Sequence, residues 1–191
     1  MSTLLEIHDN VVALTHRSDL SALIKRKINA VVRNISATGL YQRDLYEVEE
    51  AQDITDLAPV IDLPANTRRI AYVLDAVNPD VVLNNRSLHY LAQHPLETNC
   101  YYVSDARLML RLSVGTTSIL VGVYRYPAEL ADEDSCWITE DLPDLVENYV
   151  AAWVHTLTGN KEVATDIQRF AGQELTILIA DRGFESVESV S

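Results

Sequence analysis

From Leu20 to Ile35, seven apolar residues recur at offsets 0, 3, 4, 8, 11, 12 and 15. This spacing puts Leu20, Leu23, Ile24, Ile28, Val31, Val32 and Ile35 on one stripe of an α-helix. A stripe of that length has to be covered by other elements, so the chain must build a packed helical layer. Ser18 suits the cap of this helix, Asp19 its positive first turn and Gly39 its stop. A shorter helix is expected over Thr3 to His16. Near the C-terminus, Pro143 opens a helix whose apolar residues are Leu145, Val146, Tyr149, Trp153 and Leu157. Gly159-Asn160 breaks it, and a second helix follows from Lys161 to about Ala180. The buried stripe of that second helix is read as Val163, Ile167, Phe170, Ala171, Leu175, Leu178 and Ile179. Two long helices with a short break predict an antiparallel helical hairpin.

Between these helical ends the apolar period falls to two. Asp44 to Ala51, with Leu45, Tyr46 and Val48, then Arg68 to Asp75, Cys100 to Ser104, Arg107 to Val114 and Thr117 to Tyr126 all read as strands. Gly115-Thr116 lies where a hairpin turn would join the last two. No long helix separates the strands, which predicts antiparallel pairing. The expected fold is therefore α+β. N-terminal helices and a long C-terminal antiparallel hairpin pack as a bundle, with an antiparallel β-rich middle section. The 191 residues are read as a single domain. Its parts are 1–40 (N-terminal helices), 41–140 (β-rich section), 141–182 (helical hairpin) and 183–191 (C-terminal tail).

Charge narrows the function classes. The chain has 28 acids against 15 bases, a formal charge of −13. A phosphate-binding surface needs clustered Lys and Arg, so the total argues against sequence-specific nucleic-acid binding. The sign is also uneven. Eight acids and no base fall between Glu129 and Glu147, and seven acids and one base between Arg43 and Asp62. Such asymmetry suits either a solvated acidic surface or a surface that orients the protein against a partner. No apolar run reaches the ~18 uncharged residues of a membrane span, and the first ten residues do not read as a secretory signal.

Catalytic patterns are sparse. The six glycines never fall close enough for a phosphate loop. His8, His16, His89, His94 and His155 lack zinc-ligand spacing. Cys100 and Cys136 stand apart and read as free thiols rather than nucleophiles. Asp132, Glu133 and Asp134 are adjacent, without the alternation and turn glycine of a calcium loop. No catalytic, metal-binding or cofactor-binding residue is assigned, and no cofactor is expected. Tyr101-Tyr102 and Tyr124-Arg125-Tyr126 suit either an interface or cross-strand packing.

The order of elements resembles the head-to-tail adaptor (connector) proteins of tailed bacteriophages, similar to tail tubular protein A or the tail accessory factor of short-tailed phages. The resemblance rests on Leu20 to Leu45, Leu63-Pro64 to Val73 and Leu142 to Asp181. It implies a virion structural protein, not an enzyme, assembled in the host cytoplasm and located at the virion neck. It implies a homo-oligomeric ring of twelve joining the capsid portal to the next tail or nozzle protein, with DNA passing through and not bound by sequence. It places the C-terminal segment against the portal, with Arg182, Phe184, Val187 and Val190 as contacts. An acidic channel or rim would be formed by Asp132, Glu133 and Asp134, or by Glu47, Glu49 and Glu50, since carboxylates repel passing phosphates. The alternative is a soluble acidic module, an inhibitor or DNA mimic, that engages a basic partner.

Overall fold

A computed structural model describes residues 2–38, 44–51 and 58–188. The chain divides into two compact units: Met1–Leu40 with Pro127–Ser191, and Tyr41–Tyr126.

The first unit is helical. Helix α1 (Leu4–Thr15) is opened by Thr3, whose hydroxyl accepts from the Glu6 N–H while the Glu6 carboxylate accepts from the Thr3 N–H. This reciprocal cap satisfies two end donors at once. His16, in the left-handed conformation, closes α1, and a single 3-10 turn at Ser18–Leu20 leads into α2 (Ser21–Thr38). Of the α2 stripe, Ile24, Ile28, Val31, Val32 and Ile35 are buried, whereas Leu23 is exposed. Helices α4 (Trp137–Asp141), α5 (Pro143–Leu157) and α6 (Lys161–Glu188) complete the unit. Its core draws Leu4, Ile7 and Val11 from α1 together with Ile138, Leu145, Val146, Val150 and Val154. Helix α5 is the hub and packs against α1, α2, α4 and α6.

The second unit holds two sheets. Strands β1 (Leu45–Ala51), β7 (Ser118–Arg125) and β3 (Thr67–Asp75) form one, antiparallel, in the order β1-β7-β3. Strands β2 (Val60–Asp62), β6 (Arg107–Arg111), β5 (Cys100–Ser104) and β4 (Asn84–Asn85) form the other, in the order β2-β6-β5-β4. Val73, Ile119, Val121 and Val123 of the first sheet share a core with Tyr101, Leu108 and Leu110 of the second. A short helix α3 (Leu88–Gln93), capped by Ser87, precedes β5.

The structure corrects the expected fold on several points. The C-terminal helices are not a matched long hairpin. Helix α5 has 15 residues and α6 has 28, so at 1.5 Å per residue they differ in length by about 20 Å. The 15-residue helix belongs to the bundle centred on itself. Among the described side chains the longer one is buried only at Ala164 and Ala171, and it runs through Gly183, the expected stop. Val163, Phe170 and Ile179 of its expected buried stripe are exposed. The side chain of Leu178 lies outside the described residues.

The middle is only partly as expected. Its β4–β5 pair is parallel rather than antiparallel, and the unit that holds the two sheets is Tyr41–Tyr126. Gly115-Thr116 does not make a hairpin, because β6 and β7 belong to different sheets. The tight hairpin lies one step earlier. There Asp105 (φ 49°) and Ala106 (φ 61°) join β5 to β6. Two successive positive φ values match the twist of the flanking strands.

Candidate functional site

The acidic segment of the helical unit is held by specific bonds rather than left as a solvated loop. Asn29, on α2, clamps Leu130 at both ends of its peptide. Its side-chain amide donates to the Leu130 carbonyl (3.1 Å), and its side-chain oxygen accepts from the Leu130 N–H (2.8 Å). Lys25, one turn earlier, donates to both oxygens of Asp132 at 2.7 Å. The Asp134 carboxylate accepts from the Ala131 N–H (2.8 Å) and closes a turn. The backbone carbonyls of Asp132 and Asp134 accept from the N–H groups of Leu5 and Leu4, each at 3.0 Å. The loop thereby satisfies donors that the first turn of α1 would leave unpaired.

These bonds sort the acids. Asp132 is spent on Lys25 and Asp134 on its own turn. Glu140 accepts from the Ser135 hydroxyl (2.7 Å), and Glu147 accepts from the Asn10 amide (2.8 Å). Burial pushes the Glu147 carboxyl above its ordinary value, and the Asp144 charge pushes it the same way, against the opposing Asn10 bond. Glu129 and Glu133 are exposed, and no hydrogen bond or ion pair engages them among the described residues. Of the three adjacent acids singled out in the sequence, Glu133 alone has a carboxylate turned to solvent without such a bond.

The acidic segment of the sheet unit sorts in the same way. Asp44 is buried and pairs with the buried Arg68 at 3.5 Å, whose guanidinium also lies over the rings of Tyr124 and Tyr126. Asp62 pairs with Arg107 at 3.1 Å. Asp53 and Asp56 lie outside the described residues. Glu47, Glu49 and Glu50 all stand exposed on β1, an edge strand of its sheet. Because side chains alternate along a strand, Glu47 and Glu49 share one face and Glu50 points to the other. Glu49 accepts from the Ser118 hydroxyl at 2.8 Å. Charges along an open edge block pairing with stray strands. The two acidic groups belong to different units.

The expected contacts Arg182, Phe184 and Val187 fall on the last two turns of α6, where the backbone alone is described; Val190 lies outside the described residues. Two openings stand apart from the acids. A cleft of about 730 Å³ in the sheet unit is lined by Arg69, Asn66, Asn85 and Tyr101 among others. A groove of about 240 Å³ in the helical unit runs between α2, α5 and α6, with Lys27 set over the Trp153 ring at 5.6 Å.

One array in the helical unit has no signature in the sequence. His8, nearly buried, meets Asp9 through Nδ1 (2.8 Å) and the Ser21 hydroxyl through Nε2 (2.7 Å). The order Asp–His–Ser is that of a hydrolase triad, but none of the three residues lines either opening, and the Asp9 side chain is 69% exposed. Geometry of this kind ties α1 to the start of α2. No spacing in the sequence shows this contact, because His8 and Ser21 lie 13 positions apart. Among the described residues no group of three or more His, Cys, Asp or Glu could hold a metal ion. No helix there is long and apolar enough to cross a membrane. Cys100 is buried and its thiol is pushed up by that burial, while Cys136 is half-buried.

No curated protein matches the chain. The family model described as SU10 adaptor protein matches residues 2–183, which takes in both units and nearly the whole length. That span agrees with the phage head-to-tail resemblance carried by Leu20–Leu45, Leu63–Val73 and Leu142–Asp181. The chain belongs to the SU10 adaptor protein family, a family of phage adaptors with a structural role.

Proposed function

We propose that this protein joins the capsid portal of a tailed phage to the next tail protein, as a ring at the virion neck through which DNA passes. The observation that carries the reading is the family match over residues 2–183. The charge pattern supports the conduit part. Once the paired acids are set aside, the exposed carboxylates include Glu129, Glu133 and Asp144 in the helical unit and Glu47 and Glu50 in the sheet unit. A lumen that presents carboxylates without matching cations repels phosphates and lets DNA slide. A ring of twelve, portal contact through the segment carrying Arg182, Phe184, Val187 and Val190, and a non-catalytic role complete the proposal.

The test is affinity capture from infected cells with mass spectrometry and negative-stain imaging. Portal protein and ring-shaped particles are expected, and truncation after Asp181 should abolish portal recovery. Capture of one basic host protein by a monomer would overturn the reading. For the conduit, Glu129→Lys with Glu133→Lys is the informative pair, since replacing Asp132 or Asp134 would also break the Lys25 bond and the loop's own turn. Retarded DNA ejection or DNA retention by the ring is expected; unchanged ejection and infectivity would overturn the acidic lumen.

A further inference from the structure

Residues 81–86 cross from one sheet of the sheet unit to the other. The first half of this segment pairs with the outer edge of β3. There the Val81 carbonyl accepts from the Asp75 N–H (3.0 Å), and the Leu83 N–H donates to the Val73 carbonyl (2.7 Å). The second half lies along β5. There the N–H groups of Asn84 and Arg86 donate to the carbonyls of Asn99 (2.9 Å) and Tyr101 (2.8 Å). The chain then leaves the sheets at Ser87 and enters α3.

Past that point both strands run on, and among the described residues no strand lies beside them on this side. Backbone groups that face one edge of a strand recur every second residue. Asn99 and Tyr101 face this edge of β5, so Val103 presents its N–H and C=O to the same edge. Residues 69–71 of β3 and Val103 of β5 are walls of the cleft of about 730 Å³. Residues 67–71 rise about 16 Å, the length of an added strand of about five residues.

The cleft differs in charge from the rest of the chain. Its described lining holds Arg68 and Arg69 and no acid. Arg68 is engaged by Asp44. Arg69 is exposed, and among the described residues no hydrogen bond or ion pair engages it. Burial pushes the Tyr101 phenol above its ordinary value and the Arg69 charge pulls it back, so the guanidinium acts across the cleft from β3 to β5. The chain has 28 acids, yet none of those described reaches this arginine.

We propose that the cleft takes an extended segment of a partner protein, one bearing a carboxylate side chain, as an added strand between β3 and β5. Its backbone bonds Val103 in the way that Asn84 and Arg86 bond Asn99 and Tyr101, and its carboxylate meets Arg69. In such additions the main-chain bonds supply affinity and the side chains select the partner. A cationic wall without acids selects an acidic segment over a basic one. The contact needs a single copy of the chain and does not depend on ring assembly.

The experiment titrates the full-length protein against fluorescein-labelled peptides of about six residues. One alternates valine with glutamate, and one alternates valine with lysine. A further one is the glutamate peptide with its backbone amides N-methylated. Anisotropy reads binding, and amide hydrogen exchange reads its place. The glutamate peptide is expected to bind and to slow exchange at Val103, and the other two are not. Arg69→Gln, at an exposed position, should weaken binding about tenfold. Val103→Pro removes the edge N–H and should abolish binding. Proline is accepted where a strand's N–H faces outward, and circular dichroism melts verify that both variants fold. The N-methylated peptide tests the same bonds on the unaltered protein.

Failure of the glutamate peptide to bind, or equal binding of the lysine peptide, would overturn the proposal. Full binding of the N-methylated peptide would reduce the site to a carboxylate contact with no added strand. Sedimentation velocity on the protein alone tests the other occupant. Self-association that Val103→Pro abolishes would give the cleft to a second copy and rule out the separate partner.

Discussion

Gly122 on β7 sits directly opposite Tyr72 on β3, and the tyrosine ring covers the space a side chain at Gly122 would fill. A β-carbon placed on Gly122 would lie 2.5 Å from the Tyr72 Cζ. The glycine is required by this close approach, because its absent side chain is what lets the ring lie flat on the sheet. Gly122→Ala should destabilise the protein by about 1–3 kcal/mol, the usual cost of forcing one extra carbon into a packed site. Tyr72→Ala in the Gly122→Ala background should return part of that loss. Denaturant melts of the two single variants and the double variant measure the coupling. Strictly additive effects would show that the ring is not what excludes the methyl group.

Asn29 is the second single residue on which a local structure depends. Its two hydrogen bonds fix the Leu130 peptide, and Leu130 in turn belongs to the helical core. Asn29→Ala leaves a donor and an acceptor of Leu130 without their partner and should cost about 1–3 kcal/mol. Asn29→Asp keeps the acceptor but sets a carboxylate oxygen against the Leu130 carbonyl, so it should destabilise as well. Faster proteolysis within 127–136 in the alanine variant, read by mass spectrometry, should accompany the loss. Equal stability of wild type and Asn29→Ala would show that the loop is held by Lys25 and α1 without the clamp.

The parts legible in the sequence are those where one face alone is buried. The α2 stripe was readable because Ile24, Ile28, Val31, Val32 and Ile35 all point inward, and the alternation of Ile119, Val121 and Val123 was readable on β7 for the same reason. Periodicity could not separate two apolar rows on one helix. The periodicity puts both Phe170 and Ala171 on the buried stripe, yet Ala171 is buried while Phe170 beside it is 61% exposed. Nor does spacing show which strands pair. Gly115-Thr116 has the look of a hairpin turn, yet the tight turn is Asp105-Ala106, where an alanine takes a backbone conformation usually given to glycine. Acidity was visible from composition. Which acids are engaged depends on Lys25, Asn10, Ser135 and Arg68, residues that lie up to 137 positions away from their partners.

Ala106 is the place where that turn chemistry can be tested. Its φ of 61° costs an L-residue roughly 1–2 kcal/mol. Glycine removes the strain but adds freedom to the unfolded chain, worth about 0.4–1 kcal/mol in the other direction. Ala106→Gly should therefore raise stability by a net of roughly 0.5 kcal/mol. Ala106→Val, with a branched side chain in the same conformation, should lower it. A urea series on the three proteins orders them, and a valine variant as stable as wild type would mean that the turn rearranges at no cost.

Glu147 gives the helical unit one pH-dependent contribution to its stability. Its carboxyl is raised above the ordinary glutamate value, first by burial and then by the Asp144 charge, while the Asn10 amide works against both. The folded state thus holds its proton more tightly than the unfolded state does. Below the ordinary value Glu147 is protonated in both states, and its neutral form suits the half-buried site. As pH rises through the raised folded value, the fold must accept a charge there that the unfolded chain carries at no cost. Stability contributed by this group is therefore present at acid pH and lost towards neutrality. Glu147→Gln keeps an oxygen for the Asn10 amide and never ionises. Relative to wild type, the glutamine variant should melt at the same temperature near pH 4 and at a higher temperature at pH 7. Thermal melts at half-unit steps between those limits give the difference curve. A difference that shrinks or reverses as pH rises would show that the Asn10 bond outweighs burial and that the carboxylate stabilises the fold.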